Sequence, residues 1–162
     1  VTNRVCVKEV VLPFRVFGGL TGILGPEMQS TGEAMGVGET FAAAYWKACL
    51  GAGLRQLPFG SPVYLSGTEE CFPELPQRLT AAGCSVLDSS CVDPDQVDVS
   101  SLGMAIVLAH SAAGMRLIRR AVDAGVPYIS TAGGVRGMIH ALEEGMPDLE
   151  PVAISALEYA GS

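Results

Sequence analysis

Positive charge is scarce in this chain. Ten Lys and Arg stand against seventeen Asp and Glu, a formal net charge of −7. Phosphate backbones are held by clustered cations, so nucleic acid is excluded as the main partner. The one basic cluster, Arg116, Arg119 and Arg120, falls inside an apparent helix. Histidine is limited to two widely separated residues, and the five Cys form no Cys-x-x-Cys pair. Neither a disulfide framework nor a zinc site follows, and no other metal site is expected. Cys6, Cys49 and Cys84 lie in apolar runs and read as small buried hydrophobes of a reducing compartment. Long apolar runs are missing too. The longest, Met104–Ala109, has strand length, whereas a membrane span needs roughly 18–20 residues. With no basic-then-apolar leader in view, the expectation is a cytoplasmic protein with no membrane partner.

What is plentiful is apolar and small residues. Of 162 residues 49% are apolar and 20 are Gly, enough for one domain, or one domain and an appendage, with apolar surface left for a partner. The β-branched stretch Arg4–Phe14 reads as a strand ending at Pro13. A glycine-rich stretch follows, "LGPEMQSTGEAMGVGETF" (Leu24–Phe41), then a helix capped by Thr40 and ended by Gly51 and Gly53. One strand and one helix cannot enclose a core, so residues 1–57 read as the end of a domain begun elsewhere. Gln56–Pro62 reads as a linker. Beyond it strands are expected at 62–67, 84–90, 104–110 and 126–131, with helices at 69–83, 111–125 and 132–145 and a loop or short helical turn at 91–103. A final short strand is expected within "EPVAISALEYAG". Short strands alternating with helices imply βαβ units. Residues 58–162 are therefore expected to form a small doubly wound α/β domain with a parallel sheet.

Gly36-Val37-Gly38 does not make a nucleotide loop, because Phe41 stands where the third Gly of a dinucleotide fingerprint belongs and no Gly-Lys-Ser/Thr is present. It reads as a tight turn with glycines at positive φ. Glu27, Glu33 and Glu39 are spaced by six and read as solvated loop acids. In the second part, "DSSC" (Asp88–Cys91) and "STAGG" (Ser130–Gly134) follow strands. Their hydroxyls and free N–H groups would suit an anion, although Ser130 and Thr131 are equally good helix N-caps. His110 ends a strand without a Cys or Asp arranged as its partner, and His140 reads as structural.

Taken together, "VKEVVLPF" and "LGPEMQSTGEAMGVGETFAAAYWKA" resemble the closing segment of the second ATP-grasp half of carbamoyl-phosphate synthase large chains, over about residues 5–53. In that family a methylglyoxal-synthase-like regulatory domain follows, and "LIRRAVDAGVPYIST" is similar to part of it. The resemblance implies a C-terminal regulatory portion of an enzyme that makes carbamoyl phosphate for pyrimidine and arginine synthesis. The family's ATP-grasp phosphate- and metal-binding residues precede the V-K-E strand. The parent's ATP and Mg or Mn would therefore bind outside these residues, with no cofactor on this portion, no catalytic residue in it, and the catalytic portion of the synthetase as its partner.

By the same resemblance, Glu9 matches a Glu that contacts ornithine and Ser130 falls at a Thr of the same boundary site, with Thr131 beside it. Ser66 matches a Ser near the phosphate of UMP or IMP, and Ser89 keeps one hydroxyl of the family's phosphate loop. Cys91 and Val92 depart from that loop, and Val107-Leu108-Ala109 replaces a hydroxyl-bearing segment. The V-N-K strand with its phosphate-binding Lys is absent, with roughly 25 surrounding residues, more than ordinary loop variation. Binding of a nucleotide monophosphate is therefore expected to be weak or absent. Two other functions compete: a methylglyoxal-synthase-like lyase with Asp88 as its base, and a homo-oligomerisation module pairing strands 4–12 across a two-fold axis.

Overall fold

The computed structural model describes residues 4–11, 32–54, 58–109, 111–145 and 149. Pro13, all of Leu24–Thr31, His110 and the closing segment from 150 lie outside the described residues, as do the expectations placed on them. Strand β1 (Val5–Val11) pairs antiparallel with β2 (Gly32–Gly38), from Val5 opposite Gly38 to Val11 opposite Gly32. Period-2 alternation sorts β1. Val5, Val7 and Glu9 are partly covered, whereas Cys6, Lys8 and Val10 are exposed. Cys6 is thus a surface thiol and not the buried hydrophobe its neighbours suggested.

The presence of β2 corrects the turn expected at Gly36-Val37-Gly38. Neither Gly has positive φ; both lie in extended backbone because helix α1 (Phe41–Gly51) rests on them. A Cβ at Gly36 would run into the Ala44 carbonyl oxygen and approach the Ala48 nitrogen to 2.5 Å, and one at Gly38 would reach the Ala43 Cβ at 2.7 Å. Small residues on both surfaces let helix and ribbon backbones touch. Glu33 is correspondingly a strand residue, paired with Lys8 at 2.6 Å on the exposed face. Thr40 caps α1 as expected, its Oγ1 accepting from the Ala43 N–H at 3.2 Å.

The remaining elements are β3 (Pro62–Ser66), α2 (Leu75–Ala81), β4 (Ser85–Asp88), β5 (Met104–Val107), α3 (Ala112–Ala124), β6 (Tyr128–Ile129) and α4 (Ala132–Glu143). The strands form one parallel sheet in the order β4-β3-β5-β6. Val63, Leu65, Met104 and Ile106 bury one face against Leu75 and Leu79 of α2, Val135 and Met138 of α4, and Ala42 and Trp46 of α1. Tyr64, Ala105 and Val107 bury the other against Leu117, Ile118 and Ala121 of α3 and against Val97, Val99 and Leu102. With both faces covered, the sheet is a small doubly wound α/β unit, as expected. Residues 58–61 are not a loose tether. Pro58 is buried and its carbonyl accepts from the Cys84 thiol at 3.3 Å, while Phe59 meets Trp46 edge-on.

Element limits differ from the sequence reading where proline and capping intervene. Helix α2 begins at Leu75 instead of 69, with Pro76 tolerated in its first turn. Strand β6 is only two residues, because Thr131 already caps α4. Between β4 and β5 the chain makes two 3-10 turns, Pro94–Gln96 and Val99–Ser101, each started by an Asp side chain that accepts a backbone N–H.

Candidate effector cavity

Three of the five sequence-predicted site residues meet. Glu9 of β1, Ser130 after β6 and Thr131 at the α4 N-cap line one cavity of about 340 Å³. Its opposite wall is α1. Tyr45 and Cys49, one helical turn apart and so on one face, stand with Trp46 in that wall, and Tyr128 and Met104 close it from the sheet. Thr131 is committed as a cap, its Oγ1 accepting from the Gly134 N–H at 3.1 Å. Ser130 is half-buried at the β6–α4 junction.

Ser66 and Ser89 are elsewhere, side by side at the C-terminal ends of β3 and β4. The Ser89 N–H donates to the Leu65 carbonyl at 2.9 Å, and the Ser66 carbonyl accepts from Leu108 and Ala109. Asp88, between them in the chain, turns its carboxylate to the Ser90 N–H at 2.7 Å. Neither Ser66 nor Ser89 lines the Glu9 cavity. Tyr45, Cys49 and Tyr128 escaped the sequence reading. The signal available for the first two was their i, i+4 spacing opposite a strand that carries an inward-facing acid.

The electrostatics of the cavity are those of one carboxylate among neutral groups. Burial raises the Glu9 pKa above its ordinary value, opposed by a hydrogen bond from the Val10 N–H at 3.3 Å. Burial and then the Glu9 charge push the Cys49 thiol up to about 12. Burial, followed by Cys49 and Glu9, pushes the Tyr45 phenol up further still. Tyr128 is raised to about 12 by burial alone. Among the described lining residues there is no Lys, Arg or His. A partly desolvated carboxylate gains from an incoming ammonium or guanidinium group, and the aromatic and aliphatic walls suit an apolar stem.

A second cavity, about 380 Å³, lies between α2 and α4. Its charges answer one another: Arg78 bridges Glu74 and Glu143, and Arg136 sits 5.8 Å over the Phe72 ring. Among the described residues no group of three or more His, Cys, Asp or Glu is placed to hold a metal. Among the described residues no helix is long and apolar enough to cross a membrane.

No family model matches the chain. Curated relatives do. The carbamoyl phosphate synthase large chain of Methanoculleus marisnigri is 33% identical over 171 residues, covering 87% of this chain and 16% of the relative. That of Vibrio cholerae is 41% identical over 126 residues, covering 76% and 10%. The chain belongs to the carbamoyl phosphate synthase large-chain family. Identity is densest over a shorter stretch: the large chain of Neisseria meningitidis is 59% identical over 64 residues, 40% of this chain. The chain spans only a small part of the carbamoyl phosphate synthase large chains it matches, 16% of the first and 10% of the second.

Proposed function

We propose that the chain is a C-terminal regulatory portion of a cytoplasmic carbamoyl phosphate synthase, inactive alone, which binds a small organic cation in the Glu9 cavity and docks on the catalytic portion through the β1–β2 ribbon. The ribbon would be the end of an ATP-grasp domain and the four-stranded sheet the methylglyoxal-synthase-like domain. One observation carries the reading: Glu9 and Ser130, both matched to an ornithine site by motif alone, line the same cavity from opposite ends of the chain.

Ornithine would supply a cationic ammonium group to Glu9, which has no cationic neighbour among the described lining residues. The nucleotide side is much poorer. Where phosphate would sit, Ser66 and Ser89 have no Lys or Arg contributed by the shortened β4–β5 connection, and Arg116 and Arg120 of α3, which reach that connection, are spent on Asp95 and on the Pro94 and Val97 carbonyls. Each missing charge-assisted bond is worth about 1.5–3 kcal/mol, so UMP and IMP bind weakly or not at all.

Titration calorimetry separates these outcomes. Ornithine is expected to bind the wild-type chain and to lose at least tenfold in affinity with Glu9→Gln, equivalent to about 1.4 kcal/mol, while UMP gives no micromolar binding. Tight UMP binding, or ornithine binding indifferent to Glu9, overturns the assignment. The lyase alternative rests on Asp88, which is held by the Ser90 N–H, and phosphate release from dihydroxyacetone phosphate tests it.

A further inference from the structure

Helices α1 and α4 lie antiparallel, joining the ribbon to the four-stranded sheet. Down the pair, Ala42 meets Glu144, Phe41 meets His140, and Tyr45 lies against Gly137, whose Cβ position is 3.6 Å from the Tyr45 ring. At one end the pair forms the wall and rim of the cavity, with Tyr45 and Cys49 facing Thr131 and Gly134. At the other end it is closed by a long-range cap. The Glu144 carboxylate accepts from the Ala42 N–H at 2.7 Å, partly shielded from solvent. Phe41 and His140 stack beside it, rings 4.5 Å apart and 13° from parallel, and His140 Nε2 stands 3.6 Å from the other Glu144 oxygen.

A carboxylate on the first N–H groups of a helix is stabilised by both the hydrogen bond and the positive helix end. Thr40 already serves the next donor of α1, Ala43. Glu144 serves a separate donor, the Ala42 N–H, and does so from a residue 102 positions away. What it adds is a tie between two separate parts of the chain.

We propose that Glu144, with the His140–Phe41 stack, is a latch that holds α1 against α4 and so sets the width of the Glu9 cavity at the far end of the same helix pair. Releasing the latch lets α1 shift on α4 and opens the cavity wall. A ligand bridging Glu9 and the β6–α4 junction draws the same pair together, so latch and ligand assist each other reciprocally. The latch is a property of the helix pair and stands whether or not the cavity takes an effector.

Two cysteines report on it. Cys49 is in the cavity wall and Cys84 is buried in the main core, so thiol-labelling rates at neutral pH follow local opening at the first and deeper opening at the second. Glu144→Ala in the full chain is expected to speed Cys49 labelling about fivefold, the usual scale of a lost cap, with Cys84 unchanged. Glu144→Asp restores the slow rate, and His140→Ala, which leaves the carboxylate, gives a smaller acceleration. Should the Ala variant fail to fold, Glu144→Gln decides by the same two rates. Unchanged Cys49 labelling, or Cys49 and Cys84 accelerating together, overturns the latch. A working latch in a chain that binds no ornithine leaves it standing and refutes the effector reading alone.

Discussion

Gly36 and Gly38 occupy strand positions where any side chain would collide with α1, whereas Gly32 on the same strand meets nothing within 4 Å of an added Cβ. The three glycines thus make a controlled comparison. Gly36→Ala is expected to destabilise the chain by about 3 kcal/mol, the upper end for overpacking, and Gly32→Ala by less than about 0.5 kcal/mol, read from urea midpoints. The sequence could not separate these cases, because glycine serves positive φ and close backbone approach alike. The strand itself was equally hidden, since Gly and Ala carry little β preference. Glu9 is different. Its identity was legible through the family resemblance, but its place in a cavity wall depends on what α1 and β6 bring against it. Because the folded pKa of Glu9 lies above the ordinary 4.5, the folded state binds its proton more tightly, and stability falls as pH rises from that value through the folded pKa. Glu9→Gln should therefore be the more stable form at neutral pH, with the gap closing as the medium is acidified. Urea titrations of both forms across that window check the sign, and a gap that widens in acid would refute it.

At the level of elements, the alternation of strand and helix from Pro62 to Glu143 was readable because each buried face repeats with the period of its own structure. The β4–β5 connection was not. It contains no repeating pattern, and its shape is imposed by a distant helix. Arg120 of α3 donates to the carbonyls of Pro94, Asp95 and Val97, and Arg116 pairs with Asp95. The Tyr64 hydroxyl donates to the Val92 carbonyl at 3.0 Å. Two of the three arginines that looked like a cationic cluster, Arg116 and Arg120, thereby clamp a loop. Arg120→Ala leaves three carbonyls without this donor and is expected to cost about 2 kcal/mol, with faster hydrogen exchange confined to residues 93–102. Uniformly faster exchange over the whole sheet would show instead that the connection and the sheet open as one unit. Arg116 and Arg120 are both engaged at this connection, by the Asp95 carboxylate and by backbone carbonyls respectively.

For the molecule as a whole, assembly turns on the ribbon. The four-stranded sheet is covered on both faces, whereas β1 and β2 form a two-stranded sheet that, among the described residues, is covered by α1 on one side. Its other face presents Val10, 41% exposed, and Met35, 65% exposed, around the Lys8–Glu33 pair. Apolar side chains raised on a two-stranded ribbon favour association. Replacing both Val10 and Met35 by Lys should leave the unfolding free energy within about 0.5 kcal/mol per site, as for other exposed positions, because neither side chain belongs to either core cluster. Docking is what the change should abolish. Sedimentation velocity of the wild-type chain, alone and with a synthetase catalytic portion, distinguishes the two covers. A discrete dimer that the double variant dissolves assigns the face to a second copy. A wild-type monomer that binds the catalytic portion, and a variant that does not, assigns it to the synthetase. If the variant binds that portion as well as the wild type, the ribbon face is not the docking surface and the proposed mode of action fails.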